Sequence, residues 1–267
     1  MKKINLVKEW IASWKAVWQK TWYLPASAVA DLLFLVVYGF MTAPLFAKLT
    51  DHVVVIGTLL SEQMRTVAGR ARPAIIEALF QPPVSKYTWQ FLALLLILAI
   101  VLFAVFCVFQ GIAWMLASRV SGKKIQWRVF LIKFARITLL WAGLYFLWQC
   151  IDTVFDLRRI AIEKAMNMPA PGAGIVLSIL LGVMLYFAAV SYPLLAVKKA
   201  FRVGINKAAV IIPAGVIIAA QLYIGNFITK KVAAFNPKLA FIVGAIILLV
   251  LVGWSRLYIT RIVRGCA

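Results

Sequence analysis

The sequence predicts an all-α, polytopic membrane helix bundle: six transmembrane helices behind an N-terminal amphipathic interfacial helix, with both termini cytoplasmic. Three observations carry that prediction. Hydrophobic residues make up 64% of the 267 positions and charged ones only 14%, whereas soluble domains run near 45–50% and 25%. No polar stretch is long enough to build a core of its own, so residues 1–267 read as a single membrane domain. The formal charge is +21, and the basic residues sit between apolar runs, as the positive-inside rule requires. A nucleic-acid partner, the usual reading of such a charge in a soluble protein, is therefore not expected. The expected partner is the bilayer, with its anionic headgroups on the cytoplasmic side.

The first 23 residues lack the uninterrupted apolar core of a secretory signal and the arginines of a transit peptide. Wound as a helix, they place Val7, Trp10, Ile11, Trp14, Trp18 and Trp22 along one face, with Lys8 and Lys15 on a flank. A tryptophan stripe bordered by lysines describes a helix in the membrane interface.

Pro25 marks entry to the first span, about 24–46, long enough for a bilayer core of about 20 residues. Residues 51–80 then alternate apolar and polar at helical spacing (Val53, Ile56, Leu60, Met64 and Val67 on one stripe) and read as an extracytoplasmic amphipathic segment. Pro73 opens a short helix there, and Pro82-Pro83 closes it. The second span covers about 89–116, followed by Arg119, Lys123, Lys124 and Arg128. The third, about 137–155, is introduced by Lys133 and Arg136, whose long stems let them reach the headgroups. A polar connector with Pro169 and Pro171 leads to the fourth span, about 174–197. Lys198, Lys199, Arg202 and Lys207 form the next basic loop, before spans at about 208–228 and 239–258.

Orientation follows from where the basic residues fall. The N-terminal stretch, the second and fourth loops and the C-terminal end hold 18 of the 29 Lys and Arg, and Glu9 is their one acid. Basic bias in short loops sets topology, so this face is cytoplasmic. A plasma membrane is the default location. Basic stretches open at Lys2-Lys3, Lys123-Lys124 and Lys198-Lys199, each before a pair of spans. Positive-inside topology yields that pattern without any repeat ancestry.

Few residues offer chemistry. Asp31 is the sharpest, since a carboxylate inside a span costs at least about 2.5–3.5 kcal/mol and faces protein or a water path. It lies some seven residues in, about 10 Å deep, where interfacial water is within reach. It is a candidate proton or cation site, or the partner of a buried basic group. Gln149, Asp152 and Asp156 form a second polar group; the two carboxylates are four apart on one helical face, with Arg159 beside them. Gln221, Tyr223 and Asn226 in the fifth span line a path or bond across helices. Together, Asp31, Gln149, Asp152, Asp156, Gln221 and Asn226 make up the candidate intramembrane polar site.

Enzymatic signatures are lacking. The one histidine, His52, supplies neither a metal cluster nor a triad. Cys107, Cys150 and Cys266 form no C-x-x-C pair. Ser121-Gly122-Lys123-Lys124 resembles half a phosphate loop, without the upstream glycine or the following Ser/Thr. No metal or cofactor is expected, and no catalytic residue is assigned. The expected function is non-enzymatic: a transporter-like or lipid/solute-binding membrane protein. The alternative is a structural or accessory subunit of a larger membrane complex, with a membrane-protein partner or a second copy of the chain.

Overall fold

The computed structural model describes residues 4–66, 75–122, 126–166 and 174–267; within these, 64–66, 75, 76, 157, 158 and 160–166 are described by backbone alone. Among the described residues the chain is entirely helical: α1 (Leu6–Gln19), α2 (Tyr23–Thr66), α3 (Ile75–Leu79), α4 (Val84–Val120), α5 (Trp127–Met166), α6 (Gly174–Leu194), α7 (Val197–Asn206), α8 (Ala208–Phe235) and α9 (Pro237–Cys266). Six of them, α2, α4, α5, α6, α8 and α9, are long and apolar enough to cross a membrane.

The chain divides into two compact units, Met1–Val36 with Val105–Trp141 and Val183–Ala267, and Val37–Ala104 with Ala142–Gly182. In the first, α8 and α9 form a close antiparallel hairpin. Asn236 turns the corner: its side chain accepts from the Lys238 and Leu239 amides at 3.0 and 3.1 Å, and Pro237 fills the first helical turn, where its missing N–H costs nothing. Glycines set the closeness. A Cβ on Gly225 would stand 2.8 Å from Ile247 and Leu251, and one on Gly244 would stand 2.7 Å from Thr229. Aromatic rings from α4, α5 and α6 fill the same unit: Phe106 stacks on Phe134, which lies 4.8 Å from Tyr192.

Pairings between α1 and α9 run in antiparallel order. Ile4 lies beside Gly265, Glu9 pairs with Arg261 at 2.9 Å, and Trp14 stacks on Trp254 at 5.4 Å. Helix α1 therefore packs lengthwise along the last turns of α9. This divides the predicted tryptophan face. Trp10 and Trp14 turn to the fully buried Trp254, whereas Val7, Ile11, Trp18 (71% exposed) and Trp22 stay outside with Lys8 and Lys15. Trp254 on α9 takes two of the four tryptophans, a pairing that hydropathy does not see.

In the second unit, Ile56, Leu60, Ala78 and Val84 form a small core between α2, α3 and α4. The boundary expected after residue 46 is absent, because α2 runs unbroken through Pro44 to Thr66, about 66 Å of helix. The stretch Ala47-Lys48-Leu49-Thr50-Asp51 becomes polar but holds no glycine or proline to stop a helix. Polarity marks where lipid ends, not where the helix ends. The tail of the 51–80 segment continues as α3, and Pro73 lies outside the described residues.

The fourth span ends at Leu194, earlier than expected. Leu195 takes a left-handed conformation (φ 55°), Ala196 is extended, and the predicted basic loop becomes the amphipathic helix α7. Gly204 lets α7 lie against α6: a Cβ there would sit 2.8 Å from the Phe187 ring, and Tyr186 donates to the Gly204 carbonyl at 2.8 Å.

Candidate functional site

The site is built within the first unit from one turn each of α2, α4 and α9. Ser27 and Asp31 are four residues apart on α2 and so share a face. That face meets α9 at Gly253, where a Cβ would come within 3.3 Å of Leu24 and 3.4 Å of the Ser27 hydroxyl. Fully buried Tyr23 fastens the join by donating to the Gly253 carbonyl at 2.7 Å. Close approach at this point lets Arg256, one turn further along α9, reach across to α2.

Arg256 and Asp31 are 7% and 5% exposed. The guanidinium grips the carboxylate in a fork: Nη1 donates to Oδ2 at 2.7 Å and Nη2 to Oδ1 at 2.6 Å. Gln110 on α4 completes the ring. Its Oε1 accepts from Nη2 at 2.6 Å, and its Nε2 donates to Oδ1 at 3.0 Å. Nη1 also donates to the Ser27 hydroxyl at 3.3 Å. Both charges are thus paired and hydrogen-bonded, which is the condition for keeping an ion pair out of water. A guanidinium has five N–H groups; the one on Nε hydrogen-bonds to nothing among the described residues.

Beside this network lies a cleft of about 320 Å³ between α4, α6, α8 and α9. Trp114, Val190, Gly215, Ile218, Leu222 and Ile259 give it an apolar lining, and among the described residues Arg256 is its one charged lining residue. Two of its other polar side chains are already engaged: Ser255 donates to the Leu251 carbonyl at 2.6 Å and Tyr186 to that of Gly204. The space suits an apolar chain, with Arg256 at its polar margin.

A second arginine ties helix ends together. Arg264 donates to the Ser118 carbonyl at 3.1 Å, to the Ser118 hydroxyl at 2.8 Å and to the Ser121 hydroxyl, and reaches the Pro193 carbonyl at 3.4 Å. It satisfies groups that the C-termini of α4 and α6 leave unpaired.

The polar residues singled out in the sequence are divided between the two units. Asp31 enters the network, as the partner of a buried basic group. Asp156 pairs at 3.4 Å with Arg159 on its own exposed helix face, and Asp152 is half-buried on the same helix. Gln149 takes part through its backbone, whose carbonyl accepts from Thr153 at 2.8 Å. The Gln221 Oε1 is buried without a hydrogen-bond partner among the described residues, and Asn226 is exposed. Gln149, Asp152 and Asp156 belong to the second unit, and neither Gln221 nor Asn226, in the first, hydrogen-bonds to Asp31 among the described residues. Among the described residues no cluster of three or more His, Cys, Asp or Glu is placed to hold a metal.

Arg256, Gln110 and Ser27 escaped the sequence reading. Arg256 lies near the end of an apolar run, where an arginine reads as a topology signal. Gln110 carried a usable clue, being the single amide in the long apolar stretch of α4 between Phe91 and Leu116. Comparisons with protein families, with curated proteins and with solved structures found no match to the chain.

Proposed function

We propose that the chain is a non-enzymatic, multi-pass protein of the cell membrane that binds a single-chain amphiphile, or one chain of a lipid, in the cleft beside Arg256. The tail lies among Trp114, Val190, Ile218, Leu222 and Ile259, and the polar head accepts from the Arg256 Nε–H. The Asp31–Gln110–Ser27 set holds the guanidinium in place and balances its charge, so that it donates without admitting water. Both termini face the cytoplasm in this reading, on the strength of the basic-residue bias.

One observation carries the proposal: an apolar cleft of about 320 Å³, at the lower end of ligand-pocket sizes, has a fixed guanidinium as the one charged lining residue among those described. Gly215 provides the test. It lines the cleft, and a Cβ there meets nothing within 4 Å, so a larger side chain fills the space without disturbing packing. Titrating the purified chain with oleate under native mass spectrometry should give a one-to-one adduct, weakened about tenfold or more in Gly215→Leu, the loss expected when a chain's apolar contacts are removed. Equal oleate binding by wild type and Gly215→Leu would overturn the reading.

A further inference from the structure

Helix α7 sits between the ends of two membrane-spanning helices, with only Leu195 and Ala196 before it and Lys207 after it. Ala200, Val203 and Gly204 are its buried side; Gly204 lies against the rings of Tyr186 and Phe187, and the Phe201 ring, 40% exposed, rests at the edge of the next face, 4.4 Å from Phe187. The other side of the helix is exposed. Lys198, Phe201, Arg202 and Ile205 fall at positions i, i+3, i+4 and i+7 of one face, with Lys199 beside them. Ile205 is 66% exposed. The helix holds no acidic residue, and among the described residues none of the three cations forms an ion pair.

We propose that this face of α7 binds the anionic phospholipid headgroups of the leaflet where α6 ends and α8 begins. The chemistry is complementary on both counts. Three cations without an ion pair among the described residues meet phosphate, while Ile205 and the exposed edge of Phe201 enter the acyl boundary between them. Covalent continuity with α6 and α8 places the face at a membrane edge, which is why lipid is favoured over an acidic protein. The two exposed apolar side chains would have no place against a solvated acidic segment.

The test uses the full chain in nanodiscs of phosphatidylcholine with a minor share of phosphatidylglycerol. Native mass spectrometry of the released protein then gives the ratio of the two lipids retained. The wild type should be enriched in phosphatidylglycerol, and Lys198→Gln/Lys199→Gln/Arg202→Gln should cut that enrichment about tenfold or more, since each cation near an anionic surface is worth roughly fivefold. All three positions are exposed, so the variant should fold. Independently of any variant, raising salt from about 0.1 to 1 M shortens the screening length from about 10 to 3 Å and should erase the wild-type enrichment. Enrichment unchanged in the triple variant, or no enrichment in the wild type, would overturn the proposal. Gly215→Leu separates this surface from the cleft: it should weaken the oleate adduct and leave the phosphatidylglycerol preference intact.

Discussion

At the scale of single residues, the Arg256–Asp31 pair governs the account. Removing one partner leaves a charge buried among Tyr23, Gln110 and the α2–α9 contact. Asp31→Ala and Arg256→Ala should each destabilise the protein by about 3–5 kcal/mol, read as loss of thermal stability in detergent. Asp31→Leu/Arg256→Met removes both charges at once and should cost far less than the two single changes combined. A double variant as unstable as that sum would mean the two groups do not act as a pair. Arg256→Lys should not rescue, because an ammonium cannot reproduce the two-pronged grip on the carboxylate and the bond to Gln110. Asp31 was legible in the sequence because a lone carboxylate in an apolar run is costly wherever it points. Its partners were not, because which polar groups meet across helices depends on rotation and tilt. Gln110 and Arg256 lie 79 and 225 residues away along the chain.

At the scale of helices, two contrasts check the packing. A methyl on Gly204 would meet Phe187 at 2.8 Å, where the ring is already held 4.4 Å from Phe201, so Gly204→Ala should cost about 1–3 kcal/mol. Gly215→Ala meets open space and should be neutral or slightly stabilising. Equal melting temperatures for the two would contradict the seating of α7 on α6. On α1, Trp14→Ala should cost about 2 kcal/mol, because its half-buried ring stacks on Trp254. Trp18→Ala should stay within about 0.5 kcal/mol, as for other surface changes. The apolar runs announced all six long helices, since about 20 apolar residues admit no other structure in lipid. Their ends were harder to place. Helix α2 continues through a polar stretch that has no helix stop, while Leu195 ends α6 by adopting a left-handed turn that no glycine foretold. Helix α7 was hidden for a related reason, its lysines reading as a loop until the turn at Leu195 gave them a helix to sit on.

For the whole molecule, basic residues gather toward one face of the sequence-predicted topology, and that face should be cytoplasmic. A reporter fused after Ala267 should be active only when it functions in the cytoplasm, and a cysteine at Ser61, on the stretch of α2 that this topology puts outside, should react with an impermeant maleimide in intact cells. The opposite pattern would invert the topology. The central claim is that the cleft beside Arg256 holds an acyl chain, and photolabelling tests it most directly. A diazirine-bearing fatty acid, added to the full chain in nanodiscs and mapped by peptide mass spectrometry, should mark Trp114, Ile218 and Leu222, and Gly215→Leu should suppress those adducts. Adducts spread evenly over exposed apolar residues such as Ile175 and Phe241, and indifferent to Gly215→Leu, would contradict the claim.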